Sequence, residues 1–150
     1  MQNLFIRKLF VLLFTAILPV MLYANEINPV LPNSSLKWVD AKNLPAGAKL
    51  AILAGNPNKK ELYVTRLKLP ANFVVPPHHH IANEYNTVIS GTYYMGTGDS
   101  MNKKHVTALP VGSFIMFPAG VQHYGFTKKE TVLEISGIGP WGMMPKKLEN

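Results

Sequence analysis

Residues 76–84 read PPHHHIANE, and this stretch decides how the rest of the chain is interpreted. Side chains alternate along an extended segment, so His78 and His80 project to one face while His79 points away. Glu84 follows His80 by four residues across a bend, and its carboxylate can reach the same point. The two prolines withhold backbone N–H donors, which favours an irregular edge strand over a central one.

A second stretch, residues 112–127, reads GSFIMFPAGVQHYGFT and can supply a third imidazole from His123. Three neutral imidazoles and one carboxylate form an N₃O donor set that suits a divalent transition metal and leaves two octahedral positions open. The alternative is a histidine-rich surface tract without a metal. We expect His79 and His105 to be ordinary polar residues. The candidate metal ligands are His78, His80, Glu84 and His123.

The composition of the 150 residues indicates a small β-domain whose chemistry depends on nitrogen and oxygen. The absence of cysteine excludes disulfide scaffolds, zinc fingers, iron–sulfur clusters and thiol catalysis. Eleven glycines and twelve prolines favour frequent turns. The net charge of +7 comes partly from lysine pairs in separate turns and the tail. Such scattered pairs are typical of solvated loops, so we expect no nucleic-acid partner.

The first 24 residues resemble an export signal. Arg7 and Lys8 precede a 14-residue apolar run, Leu9 to Leu22, and a cleavage position follows Ala24. An uncleaved membrane anchor is the alternative, but 14 helical residues at about 1.5 Å each fall short of a hydrocarbon core of about 30 Å. We therefore predict a periplasmic or secreted protein with no stable membrane anchoring after cleavage.

The remaining chain carries short β-branched and aromatic runs between Gly, Pro and Asn turns, which predicts an all-β sandwich or barrel. The expected organisation is a signal peptide at 1–24, an extended lead-in at 25–44, one domain at 45–142 and a short tail at 143–150. The predicted strands are Lys49–Leu53, Glu61–Leu69, Phe73–Val75, Tyr85–Ser90, Thr92–Met95, His105–Leu109, Ser113–Phe117, Gln122–Phe126 and Thr131–Ser136.

Together the two stretches closely resemble the conserved-barrel motif pair of the cupin superfamily. The first motif of that family is G-x₅-H-x-H-x₃,₄-E-x₆-G, and the match here ends at Gly91. The second is G-x₅-P-x-G-x₂-H-x₃-N, and the match begins at Gly112. Two positions depart from the pattern: Asn72 stands where the first glycine is expected, and Thr127 where the final asparagine is. Neither is a ligand position, and Asn tolerates a positive φ better than most residues.

The resemblance implies a single-domain double-stranded β-helix, the jelly-roll or cupin barrel. It also implies that one divalent metal ion is bound inside the barrel by His78, His80, Glu84 and His123, with Fe, Mn, Ni, Cu and Zn not distinguished. Residues 45–57 and 137–142 are similar to segments of small exported single-domain cupins. Members of the superfamily often pair through their sheets, so the resemblance also implies a homodimer.

A metal with two open positions can hold a small organic molecule beside O₂ or water, which suits a dioxygenase-like oxidoreductase or an isomerase. The alternative is a non-catalytic, metal-dependent module that binds or senses a small molecule, and the fold alone does not separate the two. Arg66 and Glu134 lie in predicted strands, and sequence leaves open whether they face solvent or the barrel interior. We expect Asn86, Val88 and Ser90 to line the barrel and Phe73, Phe117, Tyr124 and Trp141 to pack in the core.

Overall fold

The computed structural model describes residues 31–144. The predicted signal peptide at 1–24, the first lead-in residues at 25–30 and the tail residues 145–150 lie outside the described residues. None of the described segments is a helix long and apolar enough to cross a membrane. The described elements are a short 3₁₀ turn at Asn33–Ser35 and the strands β1 (Val39–Asp40), β2 (Lys49–Ala54), β3 (Leu62–Leu69), β4 (Val74–His78), β5 (Glu84–Ser90), β6 (Thr92–Thr97), β7 (Thr107–Pro110), β8 (Phe114–Phe117), β9 (His123–Thr127) and β10 (Thr131–Ile138).

The strands form two antiparallel sheets. One has the order β1-β2-β3-β10-β5-β8, and the other has the order β4-β9-β6-β7. The chain passes repeatedly from one sheet to the other: β4 leaves the larger sheet, β5 returns to it, and β6 and β7 join the smaller one. This arrangement confirms the predicted all-β jelly roll.

Strict alternation along β3 and β10 builds the core between the sheets. Every second residue of β3 is buried, beginning with Tyr63, and β10 shows the same period from Thr131. Because β3 and β10 are neighbours in the larger sheet, their buried residues form one continuous face that is mostly apolar and includes Thr65 and Thr131. The principal core side chains are Tyr63, Leu67, Leu69, Phe73, Val75, Val88, Tyr93, Met95, Phe117, Leu133 and Ile135.

All nine predicted strands are present as β2 to β10, with their ends shifted by a few residues. The two-residue β1 was not predicted, because so short a segment carries no periodic pattern. Strand β4 continues through Pro76 and Pro77 to His78, and its register shifts between Val75 and His78. As expected for a strand with two prolines, β4 lies at the edge of its sheet.

The turn residues of the two motifs have positive φ values, the backbone conformation that favours glycine. Gly91 and Gly112 have φ of +78° and +85°, and Asn72, at the first departure from the motif, has φ of +58°. At the second departure, the Thr127 hydroxyl donates a 2.6 Å hydrogen bond to the Pro70 carbonyl and accepts one from the Phe73 N–H at 3.1 Å. Thr127 therefore ties β9 to the turn between β3 and β4.

Arg66 and Glu134 face away from the barrel interior. They are direct cross-strand partners on β3 and β10, with Arg66 Nε 3.1 Å from a Glu134 oxygen. Arg66 also donates to the Asn33 side chain. The neighbouring inward position, Thr65, is fully buried. The two charges therefore form a partly exposed ion pair and take no part in the site described below.

Candidate metal centre

Three histidines meet where β4 ends and β9 begins. His78 and His123 are cross-strand partners, and His80 lies two residues beyond the end of β4. All three side chains are buried, with ring centroids 4.3 to 5.1 Å apart. The Nε2 atoms of His78 and His80 are 3.2 Å apart. One nitrogen from each ring lies within 4.8 Å of the others, so the three histidines can hold a metal ion.

Backbone carbonyls fix the orientation of all three rings. His78 Nδ1 lies 2.8 Å from the Pro76 oxygen, and His123 Nδ1 lies 2.9 Å from the Val121 oxygen. His80 Nδ1 lies 2.9 Å from the Gly142 oxygen. A carbonyl can only accept, so each Nδ1 carries a proton and the Nε2 atoms of the three rings face the pocket. This orientation is the one in which an imidazole binds a metal through Nε2.

The surroundings keep the imidazoles of His78 and His123 uncharged. Burial lowers the pKa of His123 to about 3, and the nearby His78 contributes further. Burial likewise lowers the pKa of His78 to about 4, partly opposed by the hydrogen bond to Pro76. Both rings are therefore neutral at pH 7.

Glu84, the first residue of β5, places its buried carboxylate beside the histidines. One oxygen lies 3.2 Å from His80 Nε2 and accepts the indole N–H of Trp141. The other oxygen accepts a 2.8 Å hydrogen bond from the Asn86 side-chain amide. The structure thus brings His78, His80 and His123 together and places Glu84 beside His80. Three imidazole nitrogens suit a divalent transition metal better than calcium or magnesium, which prefer all-oxygen sites.

The pocket around these groups is small and mostly apolar. Its volume of about 30 Å³ corresponds to roughly one water molecule. Phe117 stacks on His123, with ring centroids 3.7 Å apart and planes 10° from parallel. Tyr93 also lines the pocket, and burial raises the pKa of its hydroxyl, with a smaller contribution from the charge of Glu84. Asn86 and Val88 are buried as expected, whereas Ser90 is exposed at the strand end.

The segment after β10 closes one side of the site, and sequence reasoning missed this role. We call residues 139–144 the C-terminal strap. Trp141, expected only as a core aromatic, donates from its indole N–H to Glu84, and the Gly142 carbonyl accepts from His80. The Trp141 backbone N–H bonds to the Pro57 carbonyl, which anchors the strap. Gly and Pro residues flank Trp141 and are typical of a loop, but they do not show that this loop returns to the site.

The two remaining histidines stay outside the cluster. His79 turns away, with its Nδ1 3.0 Å from the Gln122 side-chain nitrogen. Its backbone pairs in both directions with Met144 of the strap. His105 is exposed in the segment before β7. The orientation of His79 agrees with the alternation expected for residues 78–80.

Comparison with solved structures shows the same fold in proteins of low sequence similarity. The polyketide cyclase RemF from Streptomyces resistomycificus matches with a TM-score of 0.65 and 16% identity, over 81% of this chain and 87% of that one. An RmlC-like cupin from Shewanella frigidimarina matches with a TM-score of 0.58 and 17% identity, over 72% and 87%. An RmlC-like cupin from Ralstonia eutropha gives 0.59 and 18%, over 79% and 73%. The fold is therefore that of the RmlC-like cupins.

Two sequence comparisons complete this placement. No curated protein matches the chain. A family model described as "Domain of unknown function (DUF4437)" matches residues 19–139, which is most of the chain and includes both motifs and all four candidate ligands. The chain therefore belongs to this domain family and has the RmlC-like cupin fold.

Proposed function

We propose that this protein binds one divalent transition metal ion through Nε2 of His78, His80 and His123 and a carboxylate oxygen of Glu84, and acts through it on a small organic molecule. The observation that carries the proposal is the shared orientation of the three rings. Each Nδ1 is satisfied by a backbone carbonyl, so the three Nε2 atoms converge beside a buried carboxylate. Fe, Mn, Ni, Cu and Zn all suit this donor set.

Each component of the site has a distinct role in this proposal. The bound ion supplies a Lewis acid with open positions for an oxygen- or nitrogen-bearing ligand. Trp141 and Asn86 orient the Glu84 carboxylate through their N–H groups. Phe117 fixes the His123 ring by stacking on it, and the apolar pocket wall excludes bulk water. The cyclase among the structural neighbours supports an enzymatic role for this fold.

Elemental analysis of the protein purified from its native compartment tests the metal. We expect about one transition-metal ion per chain and a large loss in a variant that combines His78→Ala with His123→Ala. The loaded form is then assayed for O₂ uptake and product formation with phenols, thiols and sugars. A purified, folded protein without transition metal, and unable to bind any of the five ions, would contradict the proposal.

The second candidate is a non-catalytic binding or sensing module, and one observation favours it. Apart from the proposed ligands, Tyr93 is the one titratable group among the described residues that line the pocket. Its raised pKa keeps the hydroxyl protonated, so it can donate a proton but cannot act as a base at neutral pH. Saturable ligand binding to the metal-loaded protein without turnover would support this second candidate over an enzyme.

Export and pairing complete the proposal. The charged start and apolar run of residues 1–24 support transport out of the cytoplasm. Cell fractionation with N-terminal sequencing tests this, and we expect a mature chain beginning at Asn25. A homodimer has an apolar surface available on the outer face of β5 and β8, where Tyr85, Phe114 and Met116 are exposed. Light scattering of the purified protein measures the number of chains.

A further inference from the structure

A second, larger cavity adjoins the pocket that holds the histidines. This outer chamber has a volume of about 340 Å³, at the lower end of the range for small-molecule sites. The segment from β1 to Leu44, strand β2, Pro57 and Asn58 form its walls. The lining is mostly apolar and includes Leu50 and Ile52, and its polar members are Asp40, Lys42, Asn43 and Asn58. The inner pocket, in contrast, has room for little more than one water molecule.

Two side chains belong to both cavities. Leu44 and Trp141 line the inner pocket as well as the outer chamber, so together they form the partition between them. The indole N–H of Trp141 holds Glu84 on the inner side, while the indole also contributes to the chamber wall. A ligand that reaches the proposed metal from the chamber must therefore pass this partition with a narrow polar group and leave its larger apolar part outside.

The inner pocket also contains an unsatisfied polar atom. The Asn86 amide nitrogen donates to Glu84, which assigns the amide orientation. The amide oxygen of Asn86 is buried and has no hydrogen-bond partner among the described residues. A buried acceptor left unpaired is costly, so this atom favours a ligand that brings a donor. An alcohol fits, because one oxygen can donate its proton to Asn86 and direct a lone pair towards the proposed metal.

We propose that the outer chamber binds the apolar body of a primary alcohol with about one aromatic ring, whose hydroxyl passes Leu44 and Trp141 into the inner pocket. There the hydroxyl donates to the Asn86 amide oxygen. The contact with the metal rests on the proposed function above, whereas binding of the ring in the chamber does not depend on it. The ligand class therefore follows from an apolar chamber, a narrow partition and a single unpaired acceptor.

Binding is measured by the fluorescence of Trp141 in a Trp38→Phe variant, since the chain has two tryptophans and Trp38 lies on the outer face against Lys68. The probes are ethanol, benzyl alcohol and benzyl methyl ether, each with chelated and with Zn²⁺-loaded protein. We expect benzyl alcohol to bind about tenfold or more tightly than ethanol, because its ring is buried. We expect the ether, which has no donor, to bind at least about fivefold more weakly than the alcohol.

A matched pair of variants locates the ring. Ile52 and Val111 are about half exposed or more, and only Ile52 lines the chamber. We expect Ile52→Glu to weaken benzyl alcohol binding about tenfold and Val111→Glu to leave it unchanged. Equal affinities for ethanol and benzyl alcohol, or equal effects of the two substitutions, would overturn the inference even if Zn²⁺ binds. If Ile52→Glu weakens benzyl alcohol binding but the protein binds no metal, the result would support ring binding in the chamber. The same result would reject the proposed metal function.

Discussion

The imidazole of His80 is held by the strap on one side and faces the other candidate ligands on the other. His80 Nε2 lies 3.2 Å from both His78 Nε2 and a Glu84 oxygen, whereas the adjacent His79 ring points to Gln122. We expect His80→Ala to reduce metal affinity more than about a hundredfold, which exceeds the usual effect of losing a group outside the ligand set. Competition with a coloured chelator measures the metal affinity of the variant and of the wild type.

His79→Ala is the matched control for that substitution. It removes an imidazole from the same tripeptide without touching the cluster, and we expect metal affinity to stay within about threefold of wild type. Similar losses in the two variants would show that the alternation of side chains at residues 78–80 does not decide which histidines bind the ion.

The contribution of the Trp141 indole N–H to metal binding can be tested separately. Trp141→Phe keeps an aromatic ring in the partition and removes the donor to the Glu84 carboxylate. We expect a loss of about 10- to 100-fold in metal affinity, since donors outside the ligand set orient the ligands. Trp38→Phe is the control and should not change the affinity, since the Trp38 ring lies against Lys68 and lines neither cavity. An unchanged affinity in Trp141→Phe would mean that Glu84 does not need this donor.

At the scale of the strands, the turns that connect the two sheets differ in how tightly they are packed. Gly91 joins β5 to β6 with φ of +78°, and an added Cβ would lie 2.5 Å from the Glu130 carbonyl oxygen. Gly112 precedes β8 with φ of +85°, and an added Cβ there meets no atom within 4 Å. We expect Gly112→Ala to lower the free energy of unfolding by about 1–2 kcal/mol through backbone strain alone. Gly91→Ala should cost at least about 3 kcal/mol, because a backbone clash adds to the same strain.

Urea denaturation compares the free energies of unfolding of the two glycine variants. A shift of the urea midpoint at an unchanged m-value reports the loss of stability. The two substitutions are chemically identical and both sit at a positive φ, so the difference between them reports the clash. Equal destabilisation would show that the turn after β5 can move away from Glu130 and Thr131, and that the close packing there does not constrain the sheets.

The strands and the shared face of His78 and His80 could largely be predicted from sequence because their determinants are local. The approach of His123 and Glu84 to that face depends on strand packing, and in the sequence only the spacing of the two motifs and their resemblance to the cupin superfamily indicate it. Alternation places His78 and His80 on one face, and the glycines with positive φ mark the turns between strands. The role of Trp141 could not be predicted, since its contact with Glu84 depends on where the strap returns after β10. The short β1 and the outward pairing of Arg66 with Glu134 also depend on neighbouring strands rather than on local pattern.

For the molecule as a whole, the site depends on how the two sheets pack together. His78 and His123 belong to the smaller sheet, and Glu84 begins a strand of the larger one. The buried histidines thus sit inside the same core that stabilises the fold, and their protonation must affect the stability of the entire domain. This coupling is strongest in the metal-free protein, where protons have no competitor at the imidazoles.

The free energy of unfolding of the chelated protein should therefore fall with acidity. The folded-state pKa values of about 4 for His78 and about 3 for His123 lie below the ordinary value of about 6.5, because burial disfavours the charged rings. Above about pH 6.5 the full stability is present, and below it the unfolded chain binds protons that the folded protein resists. We expect a loss on the order of a few kcal/mol between about pH 6.5 and pH 4 in urea denaturation. His78→Gln should reduce the slope of the unfolding free energy against pH, and His105→Gln, at an exposed position, should not. The same slope in wild type and both variants would assign the acid sensitivity to other groups.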